Sequence, residues 1–354
     1  MSHNPPQPSS ATAPSGAKKR INVHYRVVGD AATIEARARA IAVEQSVEMP
    51  VAAIDAADVL DDIVGQVGAI ADRGDGSFDV HIGLALETTG LRAGQLLNML
   101  FGNSSLQTDV TLMDADFPDE LVQVLGGPNV GLAGLRARVG AVGRALTCSA
   151  LKPQGLPAAD LARLAAQMAE GGLDFIKDDH GLADQAYSPF AERVPAIAEA
   201  VAKVVAHTGV TTSYLPSLNG TLDDLRQQVA LARDSGLEGA LIAPMIVGVD
   251  SFVAVRQENP DFAFMTHPAF AGVARIAPAF QFGKLFRLLG ADAVVFPNFG
   301  GRFGYTPEEC LELAQNAVAG DAVRSAVPVP AGGMTLERVP EMLDFYGPDV
   351  MVLI

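Results

Sequence analysis

Hydrophobic and polar residues along this chain follow two regimes. Residues 21–28 and 78–86 alternate with period two, which predicts half-buried strands, while 33–44 and 90–100 carry apolar residues at helical spacing and 110–113 reads as another short strand. That mixture predicts an α+β domain over 21–140. From Arg144 onward short apolar runs alternate strictly with amphipathic stretches. The runs are residues 145–150, 173–177, 210–215, 239–243, 262–267, 293–296, 326–330 and 350–354. Helical spacing marks 157–170, 189–207, 222–235, 279–289, 307–319 and 336–345 between them. Eight strands with intervening helices predict a (β/α)8 TIM barrel over 141–354. An open doubly wound sheet is the alternative, but it would more often carry a Gly-x-Gly-x-x-Gly turn after its first strand, and none is there. The chain stops at Ile354, inside the eighth run, so the last loop and helix of a full barrel are expected to be missing. A bare strand and an uncovered groove would be left in water, which favours a fragment.

Composition narrows the function. At 354 residues the chain exceeds a usual single domain, and 49% hydrophobic against 19% charged residues fits a filled core. A net charge of −16 argues against nucleic acid, whose phosphates need a basic footprint, and means that an anionic substrate needs a local basic pocket. Residues 1–18 are rich in Pro, Ser, Ala and Thr with no apolar segment, so residues 1–20 are expected to form a disordered tail, neither signal peptide nor anchor. No run of about 18 apolar residues exists to span a membrane. Cys148 and Cys310 are too few for a disulfide framework and are expected to be small buried hydrophobes in a reducing, cytoplasmic protein.

Chemistry concentrates at the end of the second run, where Gly171-Gly172-Leu173-Asp174-Phe175-Ile176 leads straight into Lys177-Asp178-Asp179-His180. Desolvated charges are costly unless they are paired or hold an ion, so this cluster reads as a metal site. A structural ion-pair knot is the other reading. Active sites of parallel barrels lie at the carboxyl ends of the strands, and polar groups recur there. Lys152 and Gln154 follow the first run, His267 the fifth, Arg302 the sixth in Gly300-Gly301-Arg302-Phe303-Gly304, and Gly332-Gly333 the seventh. Backbone N–H groups of the two glycines can hold an anion; a plain tight turn is the alternative.

Residues 171–180 resemble the magnesium-binding strand of the RuBisCO superfamily, Gly-Gly-Leu-Asp-Phe-x-Lys-Asp-Asp-Glu, with histidine in the last place. The resemblance covers nearly the whole chain from Ile21. It implies that Lys177 is carbamylated by carbon dioxide and, with Asp179 and His180, holds one Mg2+. Histidine for glutamate matters because Mg2+ favours oxygen, although the carbamate and one carboxylate still match a divalent charge. Lys152, in Leu151-Lys152-Pro153-Gln154, matches the lysine that takes a proton from the carbon beside a ketone, a role that calls for a pKa lowered by burial or nearby positive charge. His267 matches the family's histidine at that strand end. Glu44, in Ala42-Val43-Glu44-Gln45-Ser46, and Asn103, in Phe101-Gly102-Asn103, match residues that reach the partner subunit's barrel. The resemblance therefore implies a homodimer with shared active sites, with Glu44, Asn103, Gly332 and Gly333 binding a small phosphorylated substrate.

The departures from the pattern decide the expected activity. Arg302 stands in the loop that carries the carbon-dioxide-polarising lysine of true carboxylases, Gln154 replaces a second lysine, Pro268 an arginine and Ala331 a serine, so fixation of CO2 is not expected. The missing last loop is the one that cradles a phosphate in the family. The chain resembles the RuBisCO-like proteins, which keep enolisation. A Mg-dependent lyase that decarboxylates or cleaves a phosphorylated keto-sugar acid, such as 3-oxo-isoapionate-4-phosphate, is favoured, because His180 and Arg302 suit a substrate bearing a carboxylate. The alternatives are an isomerase or enolase of methionine salvage, acting on 5-methylthioribulose-1-phosphate or 2,3-diketo-5-methylthiopentyl-1-phosphate, and an inactive barrel with a regulatory role.

Overall fold

The computed structural model describes residues 19–320 and 322–354. The expected tail lies outside the described residues except for Lys19 and Arg20, and Arg20 already opens a strand. The N-terminal unit holds β1 (Arg20–Val28), β2 (Gln66–Asp72), β3 (Ser77–Ala85) and β4 (Val110–Asp116) in one antiparallel sheet of order β2-β3-β1-β4. The period-two pattern does what it predicts: Ile21, Val23, Tyr25 and Val27 of β1 are buried. They share a core with the helices Ile34–Glu44 and Ala93–Phe101, and the Tyr25 hydroxyl donates to the Leu100 carbonyl at 2.6 Å. β2 escaped the sequence reading because it is an exposed edge; only Val67 and Ile70 pack against that core.

The second unit carries nine short parallel segments: β5 (Leu146–Leu151), β6 (Phe175–Asp178), β7 (Ser213–Leu215), β8 (Ser217–Leu218), β9 (Gly239–Ile242), β10 (Ala263–Thr266), β11 (Ala293–Pro297), β12 (Val327–Ala331) and β13 (Met351–Leu353). They pair as β13-β5-β6-β7 and β12-β11-β10-β9-β8. The expected third strand is displaced toward its C-terminus and split at Pro216, which lacks the N–H a ladder needs. Its first half pairs with β6 and its second with β9, so one extended segment joins the two ladders, and the Pro216 carbonyl still accepts from Leu241 N at 2.8 Å. No ladder joins β12 to β13, although the two pack side by side.

Alternation along these strands separates two cores. Leu146 and Cys148 of β5, Phe175 of β6, Leu215, Leu241, Met265, Val295, Val329 and Met351 meet in one interior cluster, and their neighbours Ile176, Tyr214, Ile242 and Phe264 pack outward with the helices. The helix Gly131–Val139 adds Leu135 and Val139 to the interior cluster. Buried Asp292 holds its start by accepting from Val130 N and Gly131 N, each at 2.7 Å. The expected helices are present as Ala158–Glu170, Phe190–Thr208, Leu222–Asp234, Ala279–Phe286 running into Arg287–Leu289, Pro307–Val318 and Val339–Tyr346. Helix Val249–Gln257 was missed; its β-branched Val249, Val253 and Val255 disguise helical spacing. Both cysteines are free and buried, as expected. No helix among the described residues is long and apolar enough to cross a membrane.

Candidate active site

The strand-end cluster divides by side. Phe175 faces the interior core, so along β6 Lys177 falls on the interior side and Asp178 on the outer one. Asp178 is fully buried and accepts from Tyr214 Oη at 2.7 Å, Ser217 N at 3.0 Å and Arg193 Nε at 3.3 Å. Arg193 also donates to the carbonyls of Ser188 at 2.5 Å and Ala183 at 2.8 Å, which ties down the loop after His180. The ion-pair reading thus holds for Asp178. Removing one partner of such a buried pair costs about 3–5 kcal/mol.

Lys177 and Asp179 point to the other side. Lys177 is buried, and its Nζ donates to the Asp178 carbonyl at 3.0 Å. Burial holds its pKa below the usual lysine range, against the pull of Cys148, Asp179 and Asp178. Asp179 accepts from Lys152 Nζ, from Gly181 N at 2.9 Å and from Gln154 Nε2 at 3.3 Å, with His180 Nδ1 at 3.4 Å. Burial pushes the Asp179 carboxyl up, but the hydrogen bonds from Lys152 and Gly181 and the charges of Lys152 and His180 outweigh it and bring it to about 2. Of the two conditions set for Lys152, burial is not met: its side chain is 64% exposed and spans the mouth to Asp179.

His180 and His267 stack face to face, with ring centroids 4.2 Å apart and planes 6° apart. Burial lowers the pKa of both. At His267 burial together with the positive charges of His180 and Lys177 brings it to about 3. His267 Nδ1 accepts from Ala269 N at 3.1 Å, so the neutral ring carries its proton on Nε2. Beside the stacked rings opens a small cleft between the ends of β8 and β9, lined by Leu218, Ala243, Ile246 and Val247.

The remaining expected residues fall in two places. Arg302 lies over the Phe303 ring, has no carboxylate partner among the described residues, and its charge bears on His180. Gly332 and Gly333 lie against the same loop: both have positive φ, and a Cβ on Gly333 would fall 3.0 Å from the Gly301 Cα, so side chains are excluded there. Among the described residues their N–H groups have no protein acceptor. Glu44 and Asn103 lie apart from this cluster in the N-terminal unit, bonded to each other at 2.8 Å, with Glu48 3.2 Å from the same amide. Buried Gln45 bonds the carbonyls of Asn98 and Met99 and the N–H of Ser104, fixing the turn that presents Asn103.

A divalent ion fits this donor set on one condition. Among the described residues no three His, Cys, Asp or Glu side chains are placed to hold a metal. Asp179 and His180 offer two donors 3.4 Å apart, roughly the separation of neighbouring ligands 2.1–2.4 Å from one ion. Lys177, if carbamylated, would supply a third from the same side of β6. Arg193 and Tyr214, which hold Asp178, escaped the sequence reading because they looked like ordinary helix and strand residues.

A lysine-aspartate strand end at the carboxyl edge of parallel strands, behind an antiparallel N-terminal sheet, defines a large-chain carboxylase fold. Residues 131–354 match the family of the ribulose bisphosphate carboxylase large chain, catalytic domain, and the chain belongs to that family, among its RuBisCO-like proteins. It is 61% identical over 337 residues to a 5-methylthioribulose-1-phosphate isomerase of Rhodospirillum rubrum, covering 95% of this chain and 90% of the relative. A 2,3-diketo-5-methylthiopentyl-1-phosphate enolase of Geobacillus thermodenitrificans is 34% identical over 268 residues, 73% of this chain and 64% of the enolase. The crystal structure of a Rubisco-like protein from Rhodopseudomonas palustris superposes with a TM-score of 0.92 at 52% identity, covering 96% of this chain and 94% of that one.

Proposed function

We propose that this protein isomerises a phosphorylated ketose of the 5-methylthioribulose-1-phosphate type through an enolate, on a (β/α)8 barrel formed by the eight parallel strands. The observation that supports the reading is the meeting of Lys152 with Asp179 beside buried Lys177, an amine that can serve as proton acceptor once it has left the carboxylate and lost its proton. Lys152, once off Asp179 and with its own proton released to solvent, takes the proton from the carbon beside the ketone. The C–H electron pair forms the new carbon–carbon double bond while the carbonyl oxygen gains negative charge. The neighbouring hydroxyl then passes its proton to the former carbonyl oxygen and becomes the new carbonyl as a proton returns to the former carbonyl carbon, which completes the isomerisation with no other reactant. Carbamylated Lys177, Asp179 and His180 would hold Mg2+, which when bound supplies Lewis-acid stabilisation of the developing negative charge. Arg302 and the N–H groups of Gly332 and Gly333 suit the phosphate.

The decarboxylase reading rested on His180 and Arg302, and Arg302 without a carboxylate partner keeps it as the second reading. It now stands behind the isomerase because of the 61% identical relative that bears the isomerase name. Incubation with 5-methylthioribulose-1-phosphate and Mg2+ is expected to give an isomer of equal mass by NMR. Inert substrate under those conditions, with CO2 released from a phosphorylated 3-oxo acid, would reverse the order.

The working unit is a homodimer in which Glu44 and Asn103 serve the partner subunit's barrel, since they are paired at the surface of the N-terminal unit and away from Lys177. Mixing Asn103→Ala with Lys177→Ala subunits is expected to restore activity, because one of the two mixed sites then carries neither lesion. Verified heterodimers that stay inactive would put each site within one chain.

A further inference from the structure

We infer that Asn298 is a positioning residue for the proposed phosphate site, locked by one face of the helix Val339–Tyr346 so that the loops after β11 and β12 form a single anion cradle. The lock takes its purpose from the assignment of Arg302, Gly332 and Gly333 to the phosphate, and rests on that reading. The two loops already meet as backbone: Asn298 N donates to the Ala331 carbonyl at 2.9 Å, and a Cβ on Gly301 would fall 2.5 Å from the Gly332 carbonyl oxygen. Phe303 completes the contact, since a Cβ on Gly332 would lie 3.6 Å from its ring, and the Arg302 guanidinium stands 5.0 Å from the centre of that same ring. A small displacement of one loop therefore moves the guanidinium relative to the Gly332 and Gly333 N–H groups.

The grip comes from residues spaced by four. Arg338, just ahead of the helix, and Met342 and Tyr346 within it fall on one face. Arg338 donates to the carbonyls of Phe299 and Gly333, one from each loop, each at 3.3 Å. Tyr346 Oη donates to Asn298 Oδ1 at 2.6 Å, and the Asn298 amide donates to Met342 Sδ at 3.0 Å and Met334 Sδ at 3.3 Å. Asn298 is 1% exposed. Thioethers are weak acceptors, so the amide regains little of what it loses on leaving water, and an apolar side chain would fill the place at less cost. What the amide adds is direction: its oxygen and its N–H groups fix the loop to the helix in one orientation, which apolar packing alone would not do.

Inorganic phosphate is the probe, and its Kd for the full chain is read by phosphorus NMR titration. Arg302→Met is expected to weaken phosphate about tenfold or more. Tyr346→Phe, which removes only the hydroxyl, and Asn298→Leu are each expected to weaken it about fivefold. In the Arg302→Met background Tyr346→Phe is expected to add less than about twofold, because a residue that acts through Arg302 has little left to lose there. A merely structural lesion would cost the same factor in both backgrounds. Should Asn298→Leu fail to fold, Tyr346→Phe decides. Wild-type affinity in Tyr346→Phe, or full additivity with Arg302→Met, would overturn the lock while leaving the phosphate site in place. Phosphate binding indifferent to Arg302→Met would remove the site and the lock together. The expected pattern in a protein that leaves 5-methylthioribulose-1-phosphate unchanged would keep the lock and sink the isomerase reading.

Discussion

Lys177→Ala is expected to weaken divalent-metal binding by more than about 10²-fold, beyond the 10- to 100-fold that loss of an outer-shell partner costs, and to abolish turnover with it. The reason is numerical. Asp179 and His180 are two donors, and no third His, Cys, Asp or Glu is placed to join them among the described residues. In the proposed site carbamylation would make Lys177 that third donor: the neutral amine would attack CO2, a C–N bond would form as one C–O π pair moves onto oxygen, and one proton would leave to solvent. The buried position favours the neutral amine, because desolvation disfavours the ammonium and lowers its pKa. Wild-type Mg2+ affinity should therefore rise with bicarbonate concentration and with pH, while the Lys177→Ala protein should respond to neither. Calorimetric titration in CO2-free and bicarbonate-equilibrated buffers reads both effects. Unchanged Mg2+ affinity in the variant would place the metal elsewhere.

Lys152→Met is expected to slow exchange of the substrate α-proton with deuterated water by about 10²- to 10⁴-fold while substrate binding stays nearly intact. Methionine keeps the length and loses the proton acceptor. The Lys152 side chain is exposed at the mouth and is engaged by Asp179, so it can swing between that carboxylate and a bound substrate without disturbing the core. Exchange at the wild-type rate would remove Lys152 from the chemistry. The same variant frees an Asp179 oxygen, so measuring Mg2+ affinity alongside exchange separates loss of the base from any change at the metal ligands.

The parallel strands, three of the four N-terminal strands and the strand-end lysine and aspartates were legible in the sequence. Each depends on neighbours along the chain: period two sets which residues share a face, and a run of apolar residues that stops at Lys177 sets where the charges begin. The same rule left Lys177-Asp178-Asp179 undivided, because it cannot say what waits on either face. Tertiary structure decided that Asp178 belongs to Arg193, Tyr214 and Ser217 and leaves the active site, since the donors come from the next helix and the next strand. It decided that Lys152 reaches Asp179 and that His180 stacks on His267. It also moved the third strand across Pro216, where a missing N–H outweighs apolar patterning. Contacts between residues far apart in sequence have no local signal, because their energy is realised only when the chain has closed the intervening loops and removed both partners from water.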